Sequence, residues 1–209
     1  MEIVDLTMAV SPLTRVFPGS PQPAFIRWST FGLHGYDSEV MHMSTHTGTH
    51  MDAPSHFAPG KASIDQVPAA RLVSSAVLIK VRKGADETIG VAGVVEGEEI
   101  REGDAVVFAT GWERHEGSEH MTRNPGLSQD AARYLVERKV NAVGIDGPSI
   151  DPGFDVKFTA HKMLLPAGVV VVENLCNLGM ITSKRFTLVA APLALVGASG
   201  SPVRALALL

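Results

Sequence analysis

A mixed α/β, strand-rich architecture follows from three observations. Residues 104–110, 140–145 and 169–172 are short, nearly continuous apolar runs of strand length, as expected for strands covered on both faces. Residues 127–139, between two of these runs, carry a helical apolar pattern with a serine at its start. An apolar content of 45% against 19% charged residues, over 209 residues, describes a chain able to bury one substantial core. No internal repeat, low-complexity tract or linker interrupts it, so residues 1–209 read as a single domain.

Residues 3–8 begin the chain as a short strand. The proline-rich stretch 11–23 reads as a loop, a setting that holds a side chain such as Phe17 in place at low entropic cost. Residues 24–33 and 38–46 can pair as strands around 34–37, with His34 and His42 in structural or solvent roles. Residues 58–61 form a turn, 64–72 a short helical or irregular piece, and 71–82 a strand centred on Val77, Leu78 and Ile79. The acidic stretch 84–102 reads as a short helix and loops with its charge in solvent.

Strand 104–110 delivers Gly111 and Trp112 at its end, where functional loops of α/β folds sit; Trp112 could flank a substrate or cap the core. In the helix, Ser128 caps the N-terminus, Asp130 complements the first turn, and Ala131, Leu135 and Val136 face inward. Strand 140–145 ends at Asp146, either a turn former or a residue behind a site. Strand 169–172 runs into Glu173, and a carboxylate directly after four valines needs a cation or strong pairing. Residues 186–194 and 202–209 form two last strands, joined by 196–201, and the tail 205–209 is too apolar to stand in water.

The formal net charge of −4, without a run of Lys or Arg, argues against nucleic acid and anionic membrane as partners. There is no transmembrane-length apolar run, and the N-terminus lacks the basic and apolar regions of a signal peptide. The single cysteine, Cys176, cannot form an intrachain disulfide, which suits the cytoplasm; a small buried residue is a better account of it than a nucleophile.

The densest chemistry lies in Thr45-His46-Thr47-Gly48-Thr49-His50-Met51-Asp52-Ala53-Pro54-Ser55-His56-Phe57. Three histidines and one aspartate fall at even positions within eleven residues, so an extended chain would point all four to one face. A helix would carry Asp52 and His56 away from His46 and His50, and Gly48 and Pro54 also oppose it. A straight strand would separate His46 from Asp52 by roughly 20 Å, too far to share an ion. The segment must bend. The expected arrangement is a strand running into Thr45, then a curl through Gly48 and the Asp52-Ala53-Pro54 turn that wraps a divalent metal.

The pattern His-x-Gly-Thr-His-x-Asp-x-Pro-x-His-Phe resembles the signature of the metal-dependent cyclase family, which includes kynurenine formamidases, isatin hydrolases and polyketide-type cyclases. The likeness extends from Val4 to about Pro192. It implies a layered β/β/α fold of the swivelling type and a homodimer or homotetramer. It also implies one or two divalent ions, zinc or manganese, with His46, His50 and Asp52 on one and Asp52, His161 and Glu173 on the other. His56 is left as the proton shuttle. Phe17 matches a substrate-contacting aromatic that is typically Trp in kynurenine formamidases. The implied activity is hydrolysis of a small aromatic amide, lactam or ester, arylformamidase chemistry first. Lactone or isatin-type ring opening and polyketide-type cyclisation are the alternatives. A metal-dependent small-molecule binding protein is a third, opposed by His56, because a binder needs no free imidazole beside its metal.

Overall fold

The apolar runs pair into a sheet that closes on itself. The computed structural model describes residues 2–95 and 99–209. Its first strands are β1 (Ile3–Asp5), β2 (Ala24–Ser29), β3 (Ser38–His42), β4 (His50–Asp52), β5 (Val73–Lys80) and β6 (Thr88–Ile89). They are followed by β7 (Ala105–Ala109), β8 (Gly126–Leu127), β9 (Ala142–Ile145), β10 (Val170–Glu173), β11 (Arg185–Pro192) and β12 (Gly200–Leu208). The α-helices are short: α1 (Phe31–His34), α2 (Val91–Val95), α3 (Gln129–Glu137) and α4 (His161–Leu164). Glu96, Gly97 and Glu98, within the expected acidic helix-and-loop stretch, lie outside the described residues.

The main sheet has the order β1-β12-β11-β5-β7-β9-β10-β4, and β4 also pairs with β12. Seven strands therefore make a closed ring, with β1 added as an eighth. Four of them, β5, β7, β9 and β10, run parallel, which explains their unbroken apolar character. Alternate side chains serve two cores. Ala76, Leu78, Val107, Ala142, Val170 and Val172 fill the lumen. Val77, Ile79, Phe108, Ile145 and Val171 point outward and are covered by Ala131 and Leu135 of α3 and Leu164 of α4. The lumen is narrow: a Cβ on Gly144 would lie 2.8 Å from Leu175 Cδ1.

The expected mixed α/β, strand-rich character is present. Closure into a ring was not part of that expectation, because it depends on the three-residue strand β4 bridging β10 and β12. The α3 helix is shorter than expected, since Leu127 is drawn into β8 against β6. Its cap is as read: the Ser128 hydroxyl accepts from Ala131 N at 3.2 Å.

The motif departs from its expected order. The strand β3 stops at His42, the curl comes first through residues 45–49, and only then does the chain extend as β4. Gly48, at φ 65°, makes the curl possible, and a Cβ there would also strike Val10 Cγ2 at 2.6 Å. β2 and β3 pair as expected, but as a separate two-stranded hairpin with Trp28, Leu33 and Met41 exposed.

Candidate metal centre

Parity on the sheet sets the floor of the site. Met51 and Ala53 enter the lumen, so His50 and Asp52 project from the outer face of β4. In the β10 register Val171 lies opposite Asp52 and Glu173 opposite His50, and cross-strand partners share a face. α4 packs on that face and opens with His161. The curl folds His46 back over Gly200, whose missing side chain is required: a Cβ there would sit 2.6 Å from His46 Cε1.

These choices bring five side chains from three regions together. Asp52 Oδ1 lies 2.7 Å from His46 Nδ1 and 3.3 Å from His50 Nε2, while Asp52 Oδ2 lies 3.2 Å from His161 Nε2. Glu173 Oε1 is 3.1 Å from His161 Nε2, and its Oε2 is 3.4 Å from His50 Nε2. Two groups result, His46/His50/Asp52 and Asp52/His161/Glu173, each with its ligand atoms within 4.8 Å of one another and with Asp52 common to both.

The surroundings orient these atoms. His50 Nδ1 donates to the Gly48 carbonyl at 2.9 Å, and His161 Nδ1 donates to Asp151. Both therefore turn Nε2 toward carboxylates that can only accept. Neutral imidazoles would set lone pair against lone pair, so the arrangement requires either protons or a metal cation at those positions. Without metal, protons take them. Burial works to lower His50, but Asp52 and then Glu173 outweigh it and hold the group up at about 10. His161 is likewise raised despite burial, by Glu173, Asp151 and Asp52. Burial raises Asp52, and the three imidazoles more than reverse this, holding it well below the usual carboxylate range. Ligating imidazoles backed by a carbonyl and a carboxylate, with two buried carboxylates between them, fit a divalent transition metal.

Above this floor is a cleft of about 250 Å³. Phe17 and Phe57 each lean on Phe158, at ring-centroid distances of 6.5 and 5.3 Å. His56 stacks on His46 at 4.0 Å, and no hydrogen bond engages its ring nitrogens among the described residues. Although its edge is open to solvent, desolvation by the packed rings lowers its pKa to about 4; Asp52 opposes the shift, while His46 and His161 reinforce it.

The family model described as "Putative cyclase" matches residues 4–152. The chain belongs to the cyclase family. A relative from Salinibacter ruber, named kynurenine formamidase, is 31% identical over 214 residues, covering 98% of this chain and 96% of that one. Isatin hydrolase A from Labrenzia aggregata, solved with benzyl benzoate bound, superposes with a TM-score of 0.90 at 29% identity, over 99% of this chain and 93% of that one. A structure titled as a potential metal-dependent hydrolase with cyclase activity gives 0.83 at 32% identity, over 99% and 96%.

In this cyclase-family chain, His46, His50, Asp52, His56, His161, Glu173 and Phe17 all meet at one cleft. Trp112 does not line it. That indole is buried, donates from Nε1 to the Met121 carbonyl at 2.9 Å, and faces a small neighbouring recess with Asp146 and Cys176. Asp146 is a loop anchor, accepting from the backbone N–H groups of Thr110, Gly111 and Trp112. Burial and nearby acidic groups push the Cys176 thiol up to about 11, so it is no nucleophile at neutral pH. Asp151, Phe57, Phe158 and Gly200 also shape the site, without a role read from the sequence. A buried ligating histidine calls for an acceptor on its second nitrogen, and that requirement is the signal for an acid near His161. Asp151 stands ten residues before it, in a stretch that otherwise reads as a turn.

Proposed function

We propose that this protein is a metal-dependent hydrolase that cleaves the amide C–N bond of a small aromatic N-acyl substrate, with arylformamidase chemistry of the N-formylkynurenine type first. One observation carries this: two three-ligand groups share Asp52 at the floor of a phenylalanine-lined cleft, beside an imidazole that is not needed as a ligand. His46, His50 and Asp52 would hold one divalent ion, and Asp52, His161 and Glu173 a second. Such an ion supplies Lewis acidity to a carbonyl oxygen and acidifies water. Three imidazoles and two carboxylates suit zinc first and manganese second.

The chain's own residues supply the rest. Phe17, Phe57 and Phe158 clamp the aromatic ring and keep bulk water from the acyl group. Neutral at pH 7, His56 takes a proton from the attacking water as the new C–O bond forms. It returns that proton to the departing nitrogen as the C–N bond breaks. Trp112 contributes indirectly, by fixing Met121 at the cleft edge.

Ring opening of an isatin-type lactam is the second reading, supported by the likeness to isatin hydrolase A. A polyketide-type cyclase has no separate support, and a pure binding role leaves His56 unexplained. Turnover of formanilides, lactams and lactones by zinc- or manganese-loaded protein separates these. Formanilides are expected to be the best substrates; a lactam hydrolysed fastest supports the second reading, and no turnover with metal bound removes both.

We read the whole chain as one working domain, its lumen core, sheet wall and helical cover forming the layered β/β/α arrangement of the swivelling type. The exposed β2–β3 hairpin supports a homodimer or homotetramer, because a lone two-stranded sheet with large apolar side chains in water is a poor free surface. The single cysteine supports a cytoplasmic setting. None of the described helices is long and apolar enough to cross a membrane.

A further inference from the structure

The cleft is chemically lopsided. One side carries Phe17, Phe57 and Phe158, and the carboxylates at its floor are already committed to imidazoles. On the rim stands Arg15, the lining residue with a permanent positive charge. Several other arginines pair with acids nearby, Arg123 with Asp86, Arg185 with Asp104 and Arg204 with Asp5, and none of these lines the cleft. Arg15 has no hydrogen bond or ion pair among the described residues, although its guanidinium offers five donors.

The loop that carries it is well held. Thr14, immediately before it, is buried and accepts from Ser11 N at 2.7 Å through its hydroxyl. Gln22 crosses the loop and donates from Nε2 to the carbonyls of Pro12 and Thr14, both at 2.8 Å. Two residues after Arg15, Phe17 leans on Phe158. Arg15 is thus presented between a buried anchor and the aromatic wall, and the hydroxyls of Ser20 and Ser44 share the cleft lining with it. An unpaired guanidinium on a fixed loop, at the mouth of an apolar slot, is a receptor for a carboxylate in two-point contact.

We propose that Arg15 is a specificity-determining residue that selects aromatic amides bearing a carboxylate, the ring lying on the phenylalanines and the carboxylate on the guanidinium. This rests on the hydrolase reading above and narrows its substrate class. The carboxylate takes no part in bond making or breaking. Its recognition therefore acts mainly through KM, by roughly tenfold for a charged hydrogen bond at a partly solvated rim.

The test uses the metal-loaded full chain and two readouts. Calorimetry compares the three isomeric aminobenzoates with the matching aminobenzamides, which lack the charge. Kinetics compares the three formylaminobenzoates with their methyl esters. For the best-fitting isomer, the acid should be preferred in both assays, and Arg15→Gln should cut that preference about tenfold. Arg15→Lys should keep part of it, while Arg133→Gln, on the exposed face of α3, should not shift it. An acid-to-ester and acid-to-amide ratio that Arg15→Gln leaves unmoved overturns the inference, as does equal binding of acid and amide by the wild type. Tight, Arg15-dependent aminobenzoate binding without turnover of any formanilide would instead keep the anion site and remove the hydrolase reading.

Discussion

The floor of the cleft and its surroundings use side chains in opposite ways. β4, β10 and α4 bury Asp52, Glu173, His50 and His161 against a closed ring of strands, and each has an assigned partner. The 11–23 loop and the β2–β3 hairpin do the reverse. They leave Phe17, Trp28 and Leu33 substantially in solvent, Phe17 resting one side on Phe158. A buried charged network is unforgiving, since removing one member strands the others at a cost of about 3–5 kcal/mol. An exposed aromatic surface is worth little until something lies on it. Changes at the floor should therefore abolish metal binding and chemistry, and changes around the mouth should alter recognition.

The largest expected effect is at the floor. His50→Ala should strip the metal and lower kcat/KM by roughly 10³-fold or more. Elemental analysis of the purified variant against wild type decides it, and full metal occupancy in the variant would break the comparison. Metal uptake by the wild type should also release protons, because His50 and His161 are held protonated in the metal-free site. The sign follows: apparent affinity should rise with pH through the neutral range, as protons compete less well, until His50 deprotonates at about 10.

His56 stands between floor and mouth and should separate chemistry from metal binding. His56→Ala should retain metal and lose roughly 10²–10⁴-fold in kcat. With its pKa lowered to about 4, wild-type His56 stays neutral above that value, so the pH–rate profile should show no inflection near the ordinary imidazole value of about 6.5. Loss of metal from His56→Ala would make it a ligand.

One step further out, Asp151→Asn should weaken metal binding roughly 10- to 100-fold, because the His161 ring loses its charged acceptor. Activity should return at high metal concentration, which a dialysis titration with kinetics can read. At the mouth, Phe17→Ala should raise KM for aromatic substrates several-fold with little change in melting temperature. A large fall in melting temperature at constant KM would make Phe17 a packing residue. Smallest for catalysis, Trp28→Glu should weaken self-association roughly tenfold or more, as sedimentation velocity would report. A wild type that sediments as a monomer would remove the role given to the hairpin.

Local chemistry alone determined much of this protein. The apolar runs, the Ser128 cap, and the glycine- and proline-spaced histidines of residues 45–57 are short-range signals, and they point to the strands, to the start of α3 and to the candidate metal centre. Glu173 was legible for the same reason, as a charge at the end of an apolar strand. What the tertiary structure decided is how separate segments meet. Asp151 matters only because residues 149–161 turn it onto His161, and Gly200 matters only because β12 runs beneath His46. Trp112 ends a strand as expected, but the hydrogen bond to Met121 turns it away from the cleft. Closure of the ring rests on β4 pairing with both β10 and β12, contacts that span 119 to 152 residues of chain in the registers of Asp52 with Val171 and of His50 with Pro202. Side-chain alternation and capping are fixed within a few residues, whereas long-range strand pairing depends on the whole fold and leaves little trace in the sequence of a three-residue strand.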